Sequence, residues 1–422
     1  MIKAYFSSEP NTDLLKIVDD FLQEALVLAQ DQNSVGLDIM LFSFTDEALL
    51  ERLKQIIASR KIKLRIIADW GNISNRDNRQ LLNLLSMMSE SFQLRFKFDL
   101  PYLWDEQAQK LRWSYHASLG LLHHKSVCIR LKDESYAMLC GSLNWTKTGG
   151  NNYENLLRIG TTTPAEKSIV SAMMSEFEAI WQHPKLCLNY AEASLLRANV
   201  KRWYKLNPAA EYSQMQGNFL GDKNSNTNRE PTTKTRENAN AVIAFSSNDP
   251  FGQNRQKGLA TENANRQFAM QKPSGKSKWV PLDIQTVALD MIYSAQAGEE
   301  LCLCMYAFSP RVPEYTALLE MARKGVKVRC ILDRSSNKGM IEKLKEVALK
   351  EGLDIIVKSG SRGMHQKYMV NQSAKTLICG TANMSTDSYY RHFEHRLLIR
   401  AQKGLTGHFQ ADFERLWRRI SD

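Results

Sequence analysis

Two stretches decide how this chain is read. The first is Leu122-His123-His124-Lys125, followed after an apolar run by Gly141-Ser142-Leu143-Asn144-Trp145-Thr146. The second is Met364-His365-Gln366-Lys367, followed by Gly380-Thr381-Ala382-Asn383-Met384-Ser385. Alternate side chains of an extended strand share a face. His123 and Lys125 therefore point together while His124 turns away, and His365 and Lys367 repeat this with Gln366 turned away. One His-x-Lys carries little information, but two, each trailed by Gly-(Ser/Thr)-x-Asn, predict one active site assembled from two copies of the same half.

The rest of the chain repeats around these stretches. Ile2 to Phe6, ending in Ser7-Ser8-Glu9-Pro10, is answered by Ala241 to Phe245, ending in Ser246-Ser247-Asn248-Asp249-Pro250. An amphipathic helix over 13–29 answers one over 282–295. The strand 37–44 answers 301–308, and Ile62 to Asp69 answers Val326 to Asp333. Near the ends, Phe177-Glu178-Ala179-Ile180-Trp181 answers Phe413-Glu414-Arg415-Leu416-Trp417. The spacing between counterparts drifts only in loop-sized steps, so an α/β unit is present twice. The strand, helix, strand order predicts parallel pairing, with a hairpin after each His-x-Lys. The expected domains are an N-terminal half, 1–206, and a C-terminal half, 241–422. Between them, 207–240 is polar enough to be a flexible linker, and 251–278 is a loose insertion.

The 422 residues are 43% hydrophobic and 24% charged, which suits a globular chain with a sizeable core. Lys and Arg outnumber Asp and Glu by 56 to 45, a net +11 that favours a polyanionic partner, either nucleic acid or an anionic lipid surface. The seven cysteines fall mostly in apolar strand-like runs and are read as reduced core residues; none is paired at the Cys-x-x-Cys spacing of a zinc site. Met1-Ile2-Lys3-Ala4 does not open a signal sequence and no apolar run reaches membrane-spanning length, so a cytoplasmic protein without stable membrane insertion is expected.

The doubled His-x-Lys with Gly-(Ser/Thr)-x-Asn resembles the phospholipase D superfamily. That resemblance covers both halves. It implies an α/β fold of two phospholipase D-like units in pseudo-twofold arrangement, with mixed, mostly parallel sheets flanked by helices. It also implies cleavage of phosphodiesters without a metal or other cofactor. By the same resemblance His123 is the nucleophile that forms a phosphohistidine and His365 is the acid and base, with the reverse assignment left open by the near-symmetry of the halves. Lys125, Lys367, Asn144 and Asn383, with the hydroxyls of Ser142 and Thr381, would meet the non-bridging oxygens. Glu154 and Glu394, ten and eleven residues past their Asn, would orient the histidines. One departure stands out: the family's Asp five residues after the Lys is Arg130 in one half and Gln372 in the other, and Asp133 in the hairpin turn could substitute only if that hairpin is lengthened. The tyrosyl-DNA phosphodiesterase branch also lacks it.

A nucleic-acid substrate, DNA or RNA, needs a cationic groove with stacking groups. Trp70, Asn72, Arg76 and Arg79 in one half, Arg334, Ser335 and Lys338 in the other, and Trp145 and Tyr389 beside the Asn motifs are the candidates, with Trp70, Arg334 and Trp145 foremost. The expectation is a nuclease. The alternatives are a phospholipase D or phosphatidyl transferase, and a noncatalytic nucleic-acid-binding relic. His124 is expected to be packed, and His392 and His395 to lie on a helix or strand surface. With both half-sites in one chain, a monomer suffices, and a homodimer stays open.

Overall fold

The protein is described by a computed structural model over residues 1–31, 35–74, 79–98, 102–105, 107–113, 120–132, 134–184, 186–208, 210, 214, 218–219, 241–246, 284–360, 363–390 and 392–420. Most of the linker 207–240, the insertion 251–278, and Arg76, His116 and Asp133 lie outside the described residues.

The first half runs β1 (Ile2–Phe6), α1 (Leu14–Asp31), β2 (Val35–Leu41), α2 (Glu47–Ser59), β3 (Ile62–Asp69), α3 (Trp70–Ser74), a 3-10 turn (Arg79–Met87) and β4 (Phe92–Lys97). It continues with a hairpin of β5 (Tyr102–Asp105) and β6 (Lys110–Trp113), then β7 (Ser126–Leu131), β8 (Glu134–Gly141), β9 (Asn155–Ile159), α4 (Pro164–Trp181), β10 (Cys187–Leu188) and α5 (Tyr190–Leu206). The second half runs β11 (Ala241–Phe245), α6 (Ile284–Ser294), β12 (Glu300–Met305), α7 (Pro313–Arg323), β13 (Lys327–Asp333), α8 (Arg334–Glu351) and β14 (Ile355–Gly360). It ends with β15 (Lys367–Asn371), β16 (Thr376–Gly380), α9 (Thr386–Tyr390), β17 (His395–Arg400) and α10 (Lys403–Arg419).

The strand orders are β1-β9-β8-β7-β2-β3-β4-β10 and β11-β17-β16-β15-β12-β13-β14. Position by position these are one pattern, with β10 added at the first sheet's edge, so the repeat read from the sequence is a repeat of sheet topology. The sheets are mixed and flanked by helices, as expected, but they are not mostly parallel. Among the described strands only β2-β3-β4 and β12-β13-β14 run parallel. The remaining pairs are antiparallel, and β7-β8-β9 and β15-β16-β17 turn back on one another in succession after each His-x-Lys.

Strand alternation sorts the side chains into layers. On β2, Leu37, Ile39 and Leu41 face the outer layer with residues of α1 and α2, while Met40 faces the other half. That central layer joins Phe6, Phe177 and Trp181 to Phe245, Tyr368, Phe409 and Phe413. The closing helices exchange partners across it: α4 packs on β11 and α10 on β1. Each fully buried aliphatic or aromatic side chain contributes about 1.5–3 kcal/mol. Buried ion pairs are close to break-even. The apolar layer, not the charges trapped within it, therefore holds the halves together.

Candidate active site

Each histidine sits just ahead of its strand, in an extended segment clamped to the opposite half. Leu122 bridges Phe393, with His123 N donating to Phe393 O (3.1 Å) and Phe393 N to Leu121 O (2.8 Å). Tyr153 bridges Met364, with His365 N donating to Tyr153 O (3.0 Å) and Tyr153 N to Gly363 O (3.0 Å). Since Phe393 precedes Glu394 and Tyr153 precedes Glu154, these bridges bring each half's glutamate to the other half's histidine. His123 Nδ1 lies 2.8 Å from Glu394 Oε2. His365 Nδ1 lies 2.8 Å from Glu154 Oε1, a contact less well aligned for hydrogen bonding than its mate. Ser7 and Ser246 fix the glutamates' backbones, accepting from Glu154 N (2.8 Å) and Glu394 N (3.1 Å). Ser388 Oγ also donates to Glu394 Oε1 (3.0 Å).

The lysines stand in matching cages. Lys125 Nζ donates to His123 O (2.8 Å) and lies 5.0 Å from the ring centre of Phe42. Lys367 Nζ donates to His365 O (2.6 Å) and lies 5.3 Å from that of Tyr306. The same rings meet the imidazoles edge-on, Phe42 against His123 and Tyr306 against His365, both at 4.9 Å. Phe42 and Tyr306 are held from behind, Asn72 donating to Phe42 O and Asn337 to Tyr306 O, each at 2.6 Å. Asp69 accepts from Leu122 N (2.8 Å) and Asp333 from Met364 N (3.3 Å), which ties the ends of β3 and β13 to the histidine segments.

Burial governs the electrostatics. Desolvation, with Lys367 adding repulsion, pulls Lys125 down to about 7, and desolvation pulls Lys367 to about 8 despite both glutamates. Desolvation drives His123 well below its ordinary value against the attraction of Glu394, and lowers His365 against that of Glu154. Burial raises Glu394, but His123 outweighs it and holds the carboxyl well below its usual range. Each histidine feels the other half's lysine as well as its own. The four groups thus lie within electrostatic reach of one another, and the two lysines are latent cations for an arriving anion.

The Gly-(Ser/Thr)-x-Asn stretches build walls rather than contacts. A Cβ on Gly141 would lie 2.2 Å from Asn155 O, and one on Gly380, at φ +153°, 2.3 Å from His395 O, so only glycine lets the neighbouring strand pass. Ser142 and Thr381 are fully buried. Their hydroxyls accept from Asn155 N (3.0 Å) and His395 N (3.1 Å), which corrects the expectation that they meet phosphate oxygens. Asn383 is buried and accepts from Ala307 N (3.1 Å); Asn144 is half-buried.

Two substrate-binding expectations are also corrected. Trp145 is buried against Phe44, and Trp70 is buried among Phe96, Phe98 and Tyr190, both packed against neighbouring rings. Arg334 is exposed at the start of α8, directly after Asp333. Tyr389 is likewise buried. His124 is packed, as expected: it stacks on His395 at 5.3 Å and its Nε2 lies 3.2 Å from Glu176. His392 and His395 are buried, not on a surface, because β17 and its approach form part of the central layer.

The missing signature Asp has a structural account. Arg130, five residues along β7 from Lys125, is about 16 Å away at strand rise and faces the opposite side. It pairs with buried Asp38 on β2 (2.6 Å), which Arg65 also grips (2.8 and 2.9 Å). Gln372 is exposed in the β15–β16 turn. Neither position reaches the pocket.

Sequence reasoning passed over Phe42 and Tyr306, Ser7 and Ser246, and Ser388. The repeat itself marks the first two pairs, which are counterparts in matched segments. Ser388 has no such signal. Among the described residues no three His, Cys, Asp or Glu side chains are grouped to hold a metal ion.

A protein-family model described as cardiolipin synthase, PLD-like domain, matches residues 28–181 and 289–417. No curated protein sequence matches significantly. Among solved structures, phosphatidylserine synthase of Haemophilus influenzae Rd KW20 superposes with a TM-score of 0.57 at 11% identity, over 100% of this chain and 87% of its own. Nuc of Salmonella typhimurium, a phospholipase D family member, gives 0.30 at 17% identity over 43% and 96%. Yeast tyrosyl-DNA phosphodiesterase gives 0.40 at 10% identity over 89% and 85%.

Proposed function

The chain belongs to the phospholipase D superfamily, whose members act on phosphodiesters, and from that premise we propose that it cleaves nucleic acid by a metal-independent, two-step displacement at phosphorus. The observation that carries the reading is the crossed pair of contacts, His123 to Glu394 and His365 to Glu154, each occupying Nδ1 and leaving Nε2 for chemistry.

In the first step His123 Nε2 attacks phosphorus. The P–N bond forms as the bond to the leaving oxygen breaks, and protonated His365 gives that oxygen its Nε2 proton. In the second, His365, now neutral, takes a proton from water as the water oxygen attacks phosphorus. The P–N bond breaks and its electron pair returns to His123. Lys125 and Lys367, charged once an anion is bound, balance the non-bridging oxygens. Burial pushes His123 below its ordinary value, and a nucleophile must start neutral. The net charge of +11 supports a polyanionic substrate.

The test is cleavage of single- and double-stranded DNA and RNA in excess chelator. His123→Ala and His365→Ala are both expected to be inactive. With a labelled substrate, His365→Ala should accumulate a protein-bound phosphate that His123→Ala never forms. Cleavage abolished by the chelator would overturn the reading. A second reading, phosphatidyl transfer, is favoured by the matched family's description and by the phosphatidylserine synthase likeness in fold. Head-group release or exchange on anionic vesicles, with no nucleic-acid cleavage, would establish it instead.

A further inference from the structure

A recess of about 570 Å³ lies at the outer edge of the first sheet, walled by Trp70, Tyr190, Arg79, Lys110, Arg197 and Lys201 among others. Its cations come from three separate elements: the 3-10 turn, the β5–β6 hairpin and α5. Arg79, Lys110 and Lys201 are exposed and Arg197 is half-buried. At the base, Trp70 packs on Phe96 and Tyr190 (ring centres 5.5 and 5.9 Å), and Tyr190, 37% exposed, presents its ring at the rim. A stacking ring beside clustered cations is the combination that grips single-stranded nucleic acid.

The recess is also joined to the catalytic pocket. Helix α3 serves both: Trp70 and Ile73 line the recess, while Asn72 holds Phe42, whose ring abuts His123 and Lys125. Asp69, the residue before α3, holds the amide of Leu122.

Resting on the nucleic-acid reading above, we propose that this recess is a second substrate-contact site, which binds a phosphate and stacks a base of the same strand that is cut at the histidines. A bilayer is flat and cannot enter a concave recess, so a flexible strand is the better fit.

The experiment measures binding of a fluorescent single-stranded oligonucleotide by anisotropy against salt, in full-length chains carrying His123→Ala to stop cleavage. Losing two phosphate contacts should lower the salt slope by about 1.4 and weaken binding about tenfold near physiological salt. Arg79→Glu with Lys201→Glu should do this. The charge-matched control, Lys345→Glu with Lys350→Glu on exposed positions of α8, should stay within about twofold. Tyr190→Ala should reduce affinity for the oligonucleotide more than for an abasic strand of equal length. Equal losses in the two double variants would overturn the site, as would loss of binding to anionic vesicles with oligonucleotide binding intact. If the wild type cuts nucleic acid but the variants match, only the recess fails; if it neither binds nor cuts any, both proposals fall.

Discussion

Anion binding at the histidines should draw protons from solution. With Lys125 at about 7 and Lys367 at about 8, roughly a quarter of the first and three quarters of the second carry charge in the empty pocket at about pH 7.5. A tetrahedral dianion between them favours the charged form of both, so binding there takes up about one proton, rising to nearly two at about pH 9. The linked affinity should fall on the order of a hundredfold between those pH values, about 3 kcal/mol. The empty protein shows the opposite trend. Both folded values lie below the unfolded lysine value of 10.5, so between them the unfolded chain binds more protons and stability rises with pH. Titration calorimetry with tungstate, an ionised dianion throughout this range, in buffers of different ionisation enthalpy gives the proton count directly. Lys125→Gln should remove about three quarters of the uptake at pH 7.5 and Lys367→Gln about one quarter. An affinity flat from pH 6.5 to 9, or proton release on binding, would refute the reasoning.

Three further outcomes are expected. Glu394→Gln and Glu154→Gln should keep the fold, measured by circular dichroism, while lowering turnover roughly 10²–10⁴-fold through loss of imidazole orientation, with Glu394→Gln slowing formation of the covalent intermediate. Arg130→Asp, which restores the family's acidic residue in register, should bring no gain in turnover. It should lose about 2–3 kcal/mol in urea unfolding, because Asp38 would face a like charge with only Arg65 left as partner. Gly380→Ala forces β16 from β17, since the added carbon would sit on His395 O. It should lower the melting temperature by several degrees and reduce kcat by displacing Asn383, readable by differential scanning calorimetry beside the cleavage assay.

Much of this was visible in the sequence, and the parts that were not have physical reasons. The doubled His-x-Lys and the matched strands specify the two sheets because topology follows element order, and the orders of the two sheets coincide. The parallel character was overestimated because strand, helix, strand describes only β2 to β4 and β12 to β14. Glu154 and Glu394 could be nominated from the family resemblance. That each serves the other half's histidine could not, because the bridges Leu122 to Phe393 and Tyr153 to Met364 join residues far apart in the chain. Trp70 follows the strand end that ties down the histidine segment, yet its side chain points to the sheet edge. Position along a strand did not reveal which wall of α3 it would join. Ser142 and Thr381 are short hydroxyls beside backbone amides, and once buried they bond locally rather than to a ligand.

The crossed carboxylates make the two halves hostages to one another. Neither could be lost, swapped or loosened without disabling the imidazole lodged in its neighbour, so reactivity reports on docking rather than on the integrity of either lobe. A chain severed between residues 220 and 240 should yield fragments that are inert apart yet regain turnover on mixing, at a rate set by how fast they find each other.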